Sequence, residues 1–436
     1  MGIYFLLIRI AALFGHRKAR MLVKGQSSTL AQLSPSSPNG NTAPQDVPFK
    51  GCIWIHAASS GEFEQARPLI EKIRKEKGSS RKIVVTFFSP SGYEQHKDYP
   101  EADGVFYLPF ATRRNARRLL DALEPKTAIF VKYEFWPAYL RELHKRNIPT
   151  YSICSIFRPK QYFFRWWGKS QLKVLRAMTH LYVQDESSRR LLAEHGVHNA
   201  SVAGDTRFDR VAAIVGDEAS RSALQEQGLT DKLNIIARFT RSCSRVIVAG
   251  STWPEDEKLL ARYMDEQLQS DRQPVTKLIL VPHETNDEHL HFIFNLFKGR
   301  YIRYTSGVEN ENAVNGDNPH SPAIMVIDTV GLLSSLYRFG HTAYIGGGFG
   351  EGIHNTIEAA AYGIPVIFGP KYQHFREAQG LIDAGAGQSI ANYKELAAAL
   401  DESLDNHEEK GAHAAGYVRS ELGTTEKIYA DLFGRA

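Results

Sequence analysis

The chain has 436 residues and a mass of 49.0 kDa. This length exceeds the size at which a single hydrophobic core usually stops growing, so two domains are expected. Hydrophobic residues make up 43% and charged residues 23%, a globular composition that excludes wholesale disorder, collagen and coiled coil. The three cysteines, Cys52, Cys154 and Cys243, are far apart and form no CxxC pair. A disulfide scaffold and a cysteine-rich zinc site are therefore not expected, and a reducing environment fits.

The formal net charge of +5 belongs to the N-terminal segment. Residues 1–45 contain five basic residues and no acidic one, and the rest of the chain carries 48 basic and 48 acidic residues. Because the main body of the protein is neutral, nucleic-acid binding by it is not expected.

The N-terminal segment predicts a membrane anchor over residues 1–24. Ile3 to Phe14 are apolar apart from Arg9, and further basic residues follow directly. This run is shorter than the roughly 20 residues that span a bilayer, and its charges follow it, unlike those of a secretory signal. We expect a helix that lies in the interface or inserts marginally, its basic flank facing anionic lipid; a buried first helix is the alternative. Residues 25–48 are rich in Ser, Pro, Asn and Gly and predict a flexible tether.

From residue 51 short β-branched runs alternate with amphipathic stretches, which is typical of βαβ units and parallel sheets. We predict two doubly wound, Rossmann-like domains at 49–211 and 244–415, a linker at 212–243, a loop at 306–322 and a C-terminal helix over 416–436 that could pack back on the first domain. Such sheets bind ligands beyond the carboxyl ends of their strands, here in a cleft expected between the domains. The predicted strands are 53–56, 83–86, 105–108, 128–131, 150–153 and 181–184, then 246–249, 277–281, 323–327, 342–345 and 365–368.

The first strand-to-helix turn places Glu62 in the first turn of a helix, over the predicted cleft. Ser60 and Gly61 beside it are small and would let a ligand approach the backbone. Since a helix N-terminus favours an ionised carboxylate, Glu62 could accept a proton from a hydroxyl group. The alternative is purely structural, because Ser59-x-x-Glu62 is also a capping box that stabilises a helix.

Two more turns of the first domain could carry chemistry. Glu134 lies between aromatic residues after a buried strand, where a desolvated acid is useful, but it could equally begin a helix before Pro137. Arg207 lies in a Gly/Asp turn and could hold a phosphate or carboxylate through paired hydrogen bonds. The alternative for Arg207 is a surface ion pair with Asp205 or Asp209.

The segment 158–169 alternates cations with aromatic residues, a combination that suits a lipid headgroup bearing phosphates. Nucleic-acid stacking and a partly buried aromatic helix are the alternatives. The residues assigned to lipid contact are Arg158, Lys160, Arg165, Trp166 and Trp167.

Two turns of the second domain are candidates for an anion or nucleotide site. Residues 250–255 follow a strand with hydroxyls and free backbone N–H groups, although Thr252-x-x-Glu255 could be only a helix cap. The turn 346–352 has five glycines, which allow close approach to a ligand. Its spacing lacks the third glycine of a dinucleotide fingerprint, so an oxidoreductase is not favoured. Asn355 and Glu358 follow on one helical face, where a Glu can accept both hydroxyls of a ribose.

Together these motifs resemble the 3-deoxy-D-manno-octulosonic acid (Kdo) transferases of lipopolysaccharide synthesis, which are GT-B glycosyltransferases of family 30. The likeness covers nearly the whole chain in order, from the N-terminal anchor onward. The motifs are Trp54-Ile55-His56, Ser60-Gly61-Glu62, Thr86 through Glu94, Glu134-x-Trp136-Pro137, Gly204-x-x-Arg207-Phe208-Asp209, Gly250-Ser251-Thr252, Val281-Pro282, Asp328-Thr329-x-Gly331, Gly346-Gly347 and His354-Asn355-x-x-Glu358.

The resemblance implies a GT-B enzyme that transfers Kdo from CMP-Kdo to a lipid A precursor of the lipid IVA type. It implies inversion at the anomeric carbon, no metal ion or other cofactor, and a place at the cytoplasmic face of the cell inner membrane. Glu62 falls at the general base, Glu134 and Arg207 at positions that stabilise the transition state, and Ser60 and Gly61 on the acceptor side. The residues implied to hold CMP-Kdo are Ser251, Thr252, Pro282, His283, Val330, Gly331, Leu332, Gly346, Gly347, His354, Asn355, Thr356, Ile357 and Glu358.

The chain departs from the family pattern at several positions. His283 stands where Arg is common and Arg207 where Lys is usual, while Gly348, Ile353 and Thr356 replace Ser, Gly and Pro. An imidazole at position 283 would make donor binding depend on pH. The alternatives to this function are a GT-B enzyme with another donor, such as a UDP-sugar, and a non-catalytic, membrane-tethered sugar-nucleotide binder. The sequence predicts no oligomeric state.

Overall fold

The structure, a computed structural model, describes residues 2–33, 49–216, 229–241, 243–270, 275–309, 314 and 322–434. Two compact units divide the chain: residues 1–210 with 423–436 form the first, and 211–422 form the second. The boundary falls inside one helix, Thr206–Gly216, and the last helix, Thr424–Phe433, belongs to the first unit.

The first unit is built on a seven-stranded parallel sheet with the order β3-β2-β1-β4-β5-β6-β7. Its central strands are buried along their length, as expected when helices cover both faces of a parallel sheet. The strands are β1 (Ile53–Ala57), β2 (Ile83–Phe87), β3 (Gly104–Tyr107), β4 (Thr127–Val131), β5 (Thr150–Ser155), β6 (His180–Val183) and β7 (Ala200–Val202). The helices up to the unit boundary are α1 (Gly2–Leu13), α2 (Arg17–Gln32), α3 (Ser60–Lys77), α4 (Pro90–His96), α5 (Arg113–Leu123), α6 (Pro137–Lys145), α7 (Lys169–Arg176), α8 (Glu186–Glu194) and α9 (Thr206–Gly216).

The second unit repeats this plan with the strand order β10-β11-β9-β8-β12-β13-β14, again all parallel. An α/β fold with two doubly wound, Rossmann-like sheets is therefore confirmed. The strands are β8 (Val246–Thr252), β9 (Lys277–Pro282), β10 (Tyr301–Arg303), β11 (Ile324–Val326), β12 (Thr342–Ile345), β13 (Val366–Phe368) and β14 (Gly387–Ser389). The later helices are α10 (Leu229–Thr240), α11 (Pro254–Gln269), α12 (Asp287–Phe297), α13 (Tyr304–Glu309), α14 (Leu333–Leu336), α15 (Ile357–Ala361), α16 (Arg376–Asp383), α17 (Tyr393–Asp405), α18 (His407–Ser420) and α19 (Thr424–Phe433), the last in the first unit.

Helix α3 shows how local sequence positions the first unit's site. Ser59 caps it, since its Oγ accepts the N–H of Glu62 at 3.4 Å. Phe63, Ala66 and Ile70 recur at helical spacing and are buried against the sheet. The buried face fixes the rotation of the helix, so its first turn is held at the carboxyl end of β1.

The N-terminal helices pack on the first unit. Phe5 of α1 is buried, with its ring centroid 4.7 Å from that of Phe110 and 6.2 Å from that of Trp136. Helix α2 buries Leu22 and Leu30, so residues 25–32 continue this helix and are not part of a tether. No helix in the described ranges is both long and apolar enough to cross a membrane. The anchor helix is thus not confirmed, and the rest of the predicted tether, 34–48, lies outside the described residues.

The strands missed by the sequence are all three-residue strands at sheet edges: β7, β10 and β14. Their residues are partly exposed and include Ser, Gln, Gly and Arg, so neither alternation nor β-branching marks them. The predicted linker at 212–243 contains helical residues up to Gly216 and all of α10. The predicted loop at 306–322 begins inside α13, and most of its later residues lie outside the described ranges.

Candidate functional site

A buried histidine lies beneath the carboxyl ends of β1 and β2. His56 Nδ1 lies 2.9 Å from both the carbonyl oxygen and the Oγ1 of Thr86, and that Oγ1 accepts the indole N–H of Trp54. Because a carbonyl can only accept, Nδ1 carries a proton and Nε2 points the other way. The ring is fully buried.

Glu134 lies on that Nε2 side, in the turn between β4 and α6. Its Oε2 accepts the indole N–H of Trp136 at 2.7 Å and lies 3.2 Å from His56 Nε2. Trp136 is the N-cap residue of α6, so Glu134 precedes the helix and does not begin it. The carboxylate is mostly buried, with 14% of its side chain exposed. The aromatic residues around Glu134 therefore fix its orientation as well as shielding it.

Glu62 forms the second half of this carboxylate pair. Its Oε2 accepts the N–H of Ala58 at 2.6 Å. Burial and, after it, the charge of Glu134 raise the pKa of Glu62 to about 7, against the lowering effects of Ala58, His56 and Lys132. Desolvation therefore outweighs the backbone hydrogen bond, which favours the ionised form. A carboxyl with this pKa can take up and release a proton near neutral pH.

Lys132 was missed by the sequence reasoning. It follows β4 in the left-handed region, at φ +53°, which is strained for a residue with a side chain. Its carbonyl oxygen accepts the hydroxyl of Ser155 at 2.7 Å, which helps to hold that conformation. Its ammonium group lowers the pKa of Glu62. Only the structure brings the cation to the carboxylate pair, because no residue pattern marks a left-handed turn at a lysine.

Arg207 is held in a buried ion pair. Its Nη2 lies 2.7 Å and its Nε 3.0 Å from Asp205 Oδ2, and its backbone N–H donates to Asp205 Oδ1. Asp205 is fully buried and also accepts the amide groups of Gln65 and Gln184. Burial acts to raise the pKa of Asp205, but Arg207 and these donors hold it below its usual value. The pairing with Asp205 is the predicted alternative for Arg207, although the pair is buried and not at the surface.

The segment 158–169 lies next to the carboxylate pair. Burial raises the pKa of Tyr162 to about 12, and the charge of Glu134 adds to this, while Arg158 contacts Tyr133. Lys160, Arg165 and Trp166 are exposed, Trp166 to 82%; the side chain of Trp167 is outside the described set.

Ser60 and Gly61 are the two residues that the resemblance implies on the acceptor side, and Ser60 Oγ lies 2.8 Å from His96 Nε2. Gly61 is exposed, and a Cβ placed on it would meet no atom within 4 Å.

In the second unit the glycine-rich turn packs backbone to backbone on the carboxyl end of β8, just before the turn that leads into α11. A Cβ on Gly346 would lie 2.3 Å from the carbonyl oxygen of Ser251. Gly347 has φ +90°, and Ser251 itself has φ +54°. Two of the glycines are therefore required by packing and backbone conformation, whatever ligand the turn holds.

A buried carboxylate ties these two turns together. Asp256 Oδ2 accepts the backbone N–H of Trp253 and that of Gly347, each at 2.9 Å, and Oδ1 accepts the hydroxyl of Tyr344 at 2.7 Å. Burial raises the pKa of Asp256, and the three donors oppose this. Thr252 is not the helix cap, because its Oγ1 donates to the buried carboxylate of Glu257 at 2.9 Å. Asp256 was also missed, although its place in the first turn of α11 was a usable signal.

Three aromatic rings stack beside the turns. The centroids of Trp253 and His283 are 4.7 Å apart, and those of His283 and His354 are 4.5 Å apart. Trp253 Nε1 donates to His354 Nε2 at 3.3 Å. Burial, aided by His283, lowers the pKa of His354 to about 4, so that ring is neutral at pH 7. With Nε2 as acceptor, the proton of the neutral ring is on Nδ1.

The remaining residues that the resemblance implies for CMP-Kdo binding lie near the starts of two short helices, α14 and α15. Asn355 Nδ2 donates to Glu358 Oε1 at 2.9 Å, and Asn355 Oδ1 accepts the N–H of Ile357. The hydroxyl of Thr356 is buried and has no hydrogen-bond partner within the described residues. Before the start of α14, Val330 is 79% exposed, Gly331 has φ +89° and Leu332 is buried, while Pro282 ends β9. Across the described part of the chain, no three His, Cys, Asp or Glu residues are placed to hold one metal ion.

The architecture defines the class of protein as a two-sheet α/β protein of the GT-B type. A UDP-GlcNAc 2-epimerase from Neisseria meningitidis bound to UDP-GlcNAc superposes with a TM-score of 0.61 at 15% identity, covering 88% of this chain and 100% of that one. A putative UDP-N-acetylglucosamine 2-epimerase from Listeria monocytogenes gives a TM-score of 0.59 at 14% identity, covering 88% and 96%. Because both identities are low, these likenesses show the fold alone.

Sequence comparison finds relatives that share one description. Residues 25–210 match the family described as 3-deoxy-D-manno-octulosonic-acid transferase (kdotransferase). The enzyme of that name from Aquifex aeolicus is 26% identical over 361 residues, covering 81% of this chain and 86% of the relative. Those from Rickettsia prowazekii and Haemophilus influenzae are 25% and 26% identical, covering 81% and 74% of this chain and 72% of each relative. The predicted resemblance to the Kdo transferases is confirmed, and with it the prediction of an enzyme of the glycosyltransferase type.

Proposed function

We propose that this chain is an inverting glycosyltransferase that moves Kdo from CMP-Kdo to a lipid A precursor of the lipid IVA type. In this proposal Glu62 is the general base, and Glu134 and Arg207 stabilise the charge that develops in the transition state. No metal ion or other cofactor takes part. The protein would act at the cytoplasmic face of the inner membrane, where such an acceptor resides.

The observation that carries the proposal is the carboxylate pair of Glu62 and Glu134. A single displacement with inversion needs one base on the acceptor side, poised to take a proton near neutral pH. The raised pKa of Glu62, about 7, meets that requirement. Glu134 accepts the indole N–H of Trp136, and its charge helps to raise the pKa of Glu62.

In the proposed reaction, every bond made or broken and the transferred proton are accounted for by the acceptor, CMP-Kdo and Glu62. An acceptor hydroxyl oxygen would attack the anomeric carbon of Kdo as its proton passes to Glu62. The bond from that carbon to the phosphate oxygen would break, and the electron pair would leave with CMP. CMP carries a single phosphate, so backbone N–H groups, helix N-termini and Arg207 would be able to meet its charge without a metal ion.

Features of the second unit support a nucleotide there. Two turns are locked together there by Asp256, and the neutral His354 beside them carries a proton on Nδ1. Asn355 orients Glu358 at the start of α15, as a ribose-binding carboxylate would require. The buried hydroxyl of Thr356 in the same turn has no hydrogen-bond partner among the residues that the structure describes. His283 is stacked between two rings beside these turns.

The deciding experiment is mass spectrometry of lipid IVA after incubation with CMP-Kdo and the full chain. We expect new species heavier by one or more Kdo units, with none from a Glu62→Gln protein. Transfer from a UDP-sugar but not from CMP-Kdo would establish a different donor. Binding of CMP-Kdo without any transfer would make the chain a sugar-nucleotide binder and reject the enzymatic proposal.

A further inference from the structure

A basic groove lies between α5 and α6 of the first unit, outside the carboxylate pair. It encloses a cavity of about 440 Å³. Four cations line it, two from each helix: Arg113 and Arg117 from α5, and Arg141 and Lys145 from α6. The one acidic residue in its wall is Glu142.

The charge of this groove is poorly neutralised by the protein itself. Arg117 lies 3.6 Å from Glu142, and Glu142 also pairs with Arg146 at 3.1 Å. The other three groove cations are exposed and form no ion pair with any residue that the structure describes. Since like charges repel when brought together, the convergence of these cations, with Glu142 as the one acid among the described lining residues, favours an anionic ligand.

Two helix N-termini border the same groove. Arg113 is the first residue of α5, and Pro137 and Ala138 are the first two of α6; all three line the cavity. The positive ends of two helix dipoles therefore add to the side-chain charge, with backbone N–H groups at Arg113 and Ala138 but none at Pro137. Phosphate is the common anion that this combination suits best.

The groove adjoins the only described part of the first unit that exposes a row of large apolar side chains. Phe5 of α1 contacts Phe110 and Trp136, and the residues after each of these, Ala111 and Pro137, line the groove. The outer face of α1 and the residue after it expose Leu7 to 58%, Ile10 to 39%, Leu13 to 81% and Phe14 to 88%. A row of apolar side chains beside clustered cations fits a bilayer surface better than a nucleic acid or an acidic protein.

We propose that the α5–α6 groove binds the phosphate of an anionic phospholipid headgroup and sets the orientation of the first unit on the membrane. The exposed apolar residues of α1 enter the interface beside it. The site is separate from the segment 158–169, and it acts before any sugar is transferred. The inference rests on the proposed function only because a lipid acceptor requires approach to a bilayer.

The test compares two doubly substituted full-length proteins with equal changes in charge. Arg113→Glu with Arg141→Glu reverses two groove cations, whereas Arg114→Glu with Arg118→Glu reverses two exposed arginines of α5 that do not line the cavity. Binding is measured by co-sedimentation with phosphatidylcholine vesicles, with and without phosphatidylglycerol, in the absence of donor and acceptor. We expect the groove variant to lose about tenfold or more in affinity for the anionic vesicles, and the control only a small fraction of that.

Several results would overturn the inference. Equal losses in the two variants would indicate diffuse attraction, and no loss in the groove variant would remove the site. Competition by free inorganic phosphate as strong as that by anionic vesicles would mean that no lipid is required. A groove variant that keeps vesicle binding but loses binding to a single-stranded oligonucleotide would assign the groove to nucleic acid. CMP affinity and thermal unfolding, measured on both variants, separate these results from misfolding and from failure of the proposed transfer.

Discussion

At the scale of single residues, the proposed chemistry depends on a carboxyl group whose pKa is held near neutrality by its surroundings. Glu62 is mostly desolvated and faces a second acid, yet the N–H of Ala58, the His56 ring and the Lys132 ammonium hold its pKa at about 7 rather than higher. A place in the first turn of a capped helix does not prevent Glu62 from acting as a proton acceptor. Ser59 caps the helix, while the Glu62 carboxylate accepts the N–H of Ala58.

Replacing Glu62 with Gln should abolish transfer without disturbing the donor. The amide keeps the size of the side chain but cannot accept the proton, so we expect the transfer rate to fall by about a thousandfold. CMP affinity, measured by calorimetry, should not change, since the donor residues belong to the second unit. Glu94→Gln, which alters an exposed acid paired with Lys97, is the matched control and should retain full activity. Wild-type turnover by the Gln variant would remove Glu62 from the base role.

The pH dependence of transfer should report the same carboxyl group. The deprotonated form is the base, so kcat/KM should rise with pH through a midpoint at about 7 and then level off. Lys132→Met removes a cation that lowers the pKa of Glu62, which should move this midpoint to higher pH. Lys126→Met, at an exposed lysine just before β4, serves as the control. A midpoint that stays in place in Lys132→Met would show that Lys132 does not act on the titrating group.

At the scale of elements, the second unit's turns depend on one another. Gly346 allows the glycine-rich turn to touch the backbone at Ser251, and Asp256 accepts an N–H group from each of the two turns. The buried Glu257 accepts a hydrogen bond from Thr252 and lies 2.9 Å from His289. These contacts stabilise the end of β8 from within the same unit. Neither turn can move without breaking a buried hydrogen bond, so the donor site is expected to be organised before nucleotide binds.

Asp256→Asn tests this coupling of the two turns. The amide has a single acceptor oxygen, so either the two N–H groups bound by Oδ2 or the Tyr344 hydroxyl bound by Oδ1 loses its acceptor. We expect CMP to bind about tenfold more weakly, with little change in kcat at saturating donor. Asn392→Ala removes the cap of α17 in the same unit and should lower thermal stability without changing CMP affinity. If both variants bound CMP as tightly as the wild type, the carboxylate would be only a structural group.

At the scale of the whole molecule, the sequence predicted the repeated α/β plan because buried parallel strands are marked by continuous apolar runs. It could not predict edge strands such as β7 and β14, which pair through backbone groups and need no apolar side chains. In the site, Glu62 and Glu134 were found because acids at strand ends are conspicuous. Lys132 was not predicted, because its effect on Glu62 depends on a left-handed turn that no sequence pattern marks. The raised pKa of Glu62 was not predicted either, because the burial that causes it depends on tertiary packing.

The N-terminal residues provide a prediction about how the first unit is stabilised. Removal of residues 2–14 deletes the exposed apolar row of α1, so co-sedimentation with anionic vesicles should fall while most transfer to detergent-dispersed acceptor is retained.

Removal of residues 2–24 also deletes Ala19 and Leu22, which α2 buries against the unit. Loss of these contacts should lower the free energy of unfolding by about 3 kcal/mol, measured by urea denaturation. Equal stability of the two truncated proteins would contradict the packing of α2, and unchanged vesicle binding of the shorter truncation would contradict the role of α1. A tether beginning at residue 25 predicts no such difference in stability, because every residue before it would then be outside the folded core.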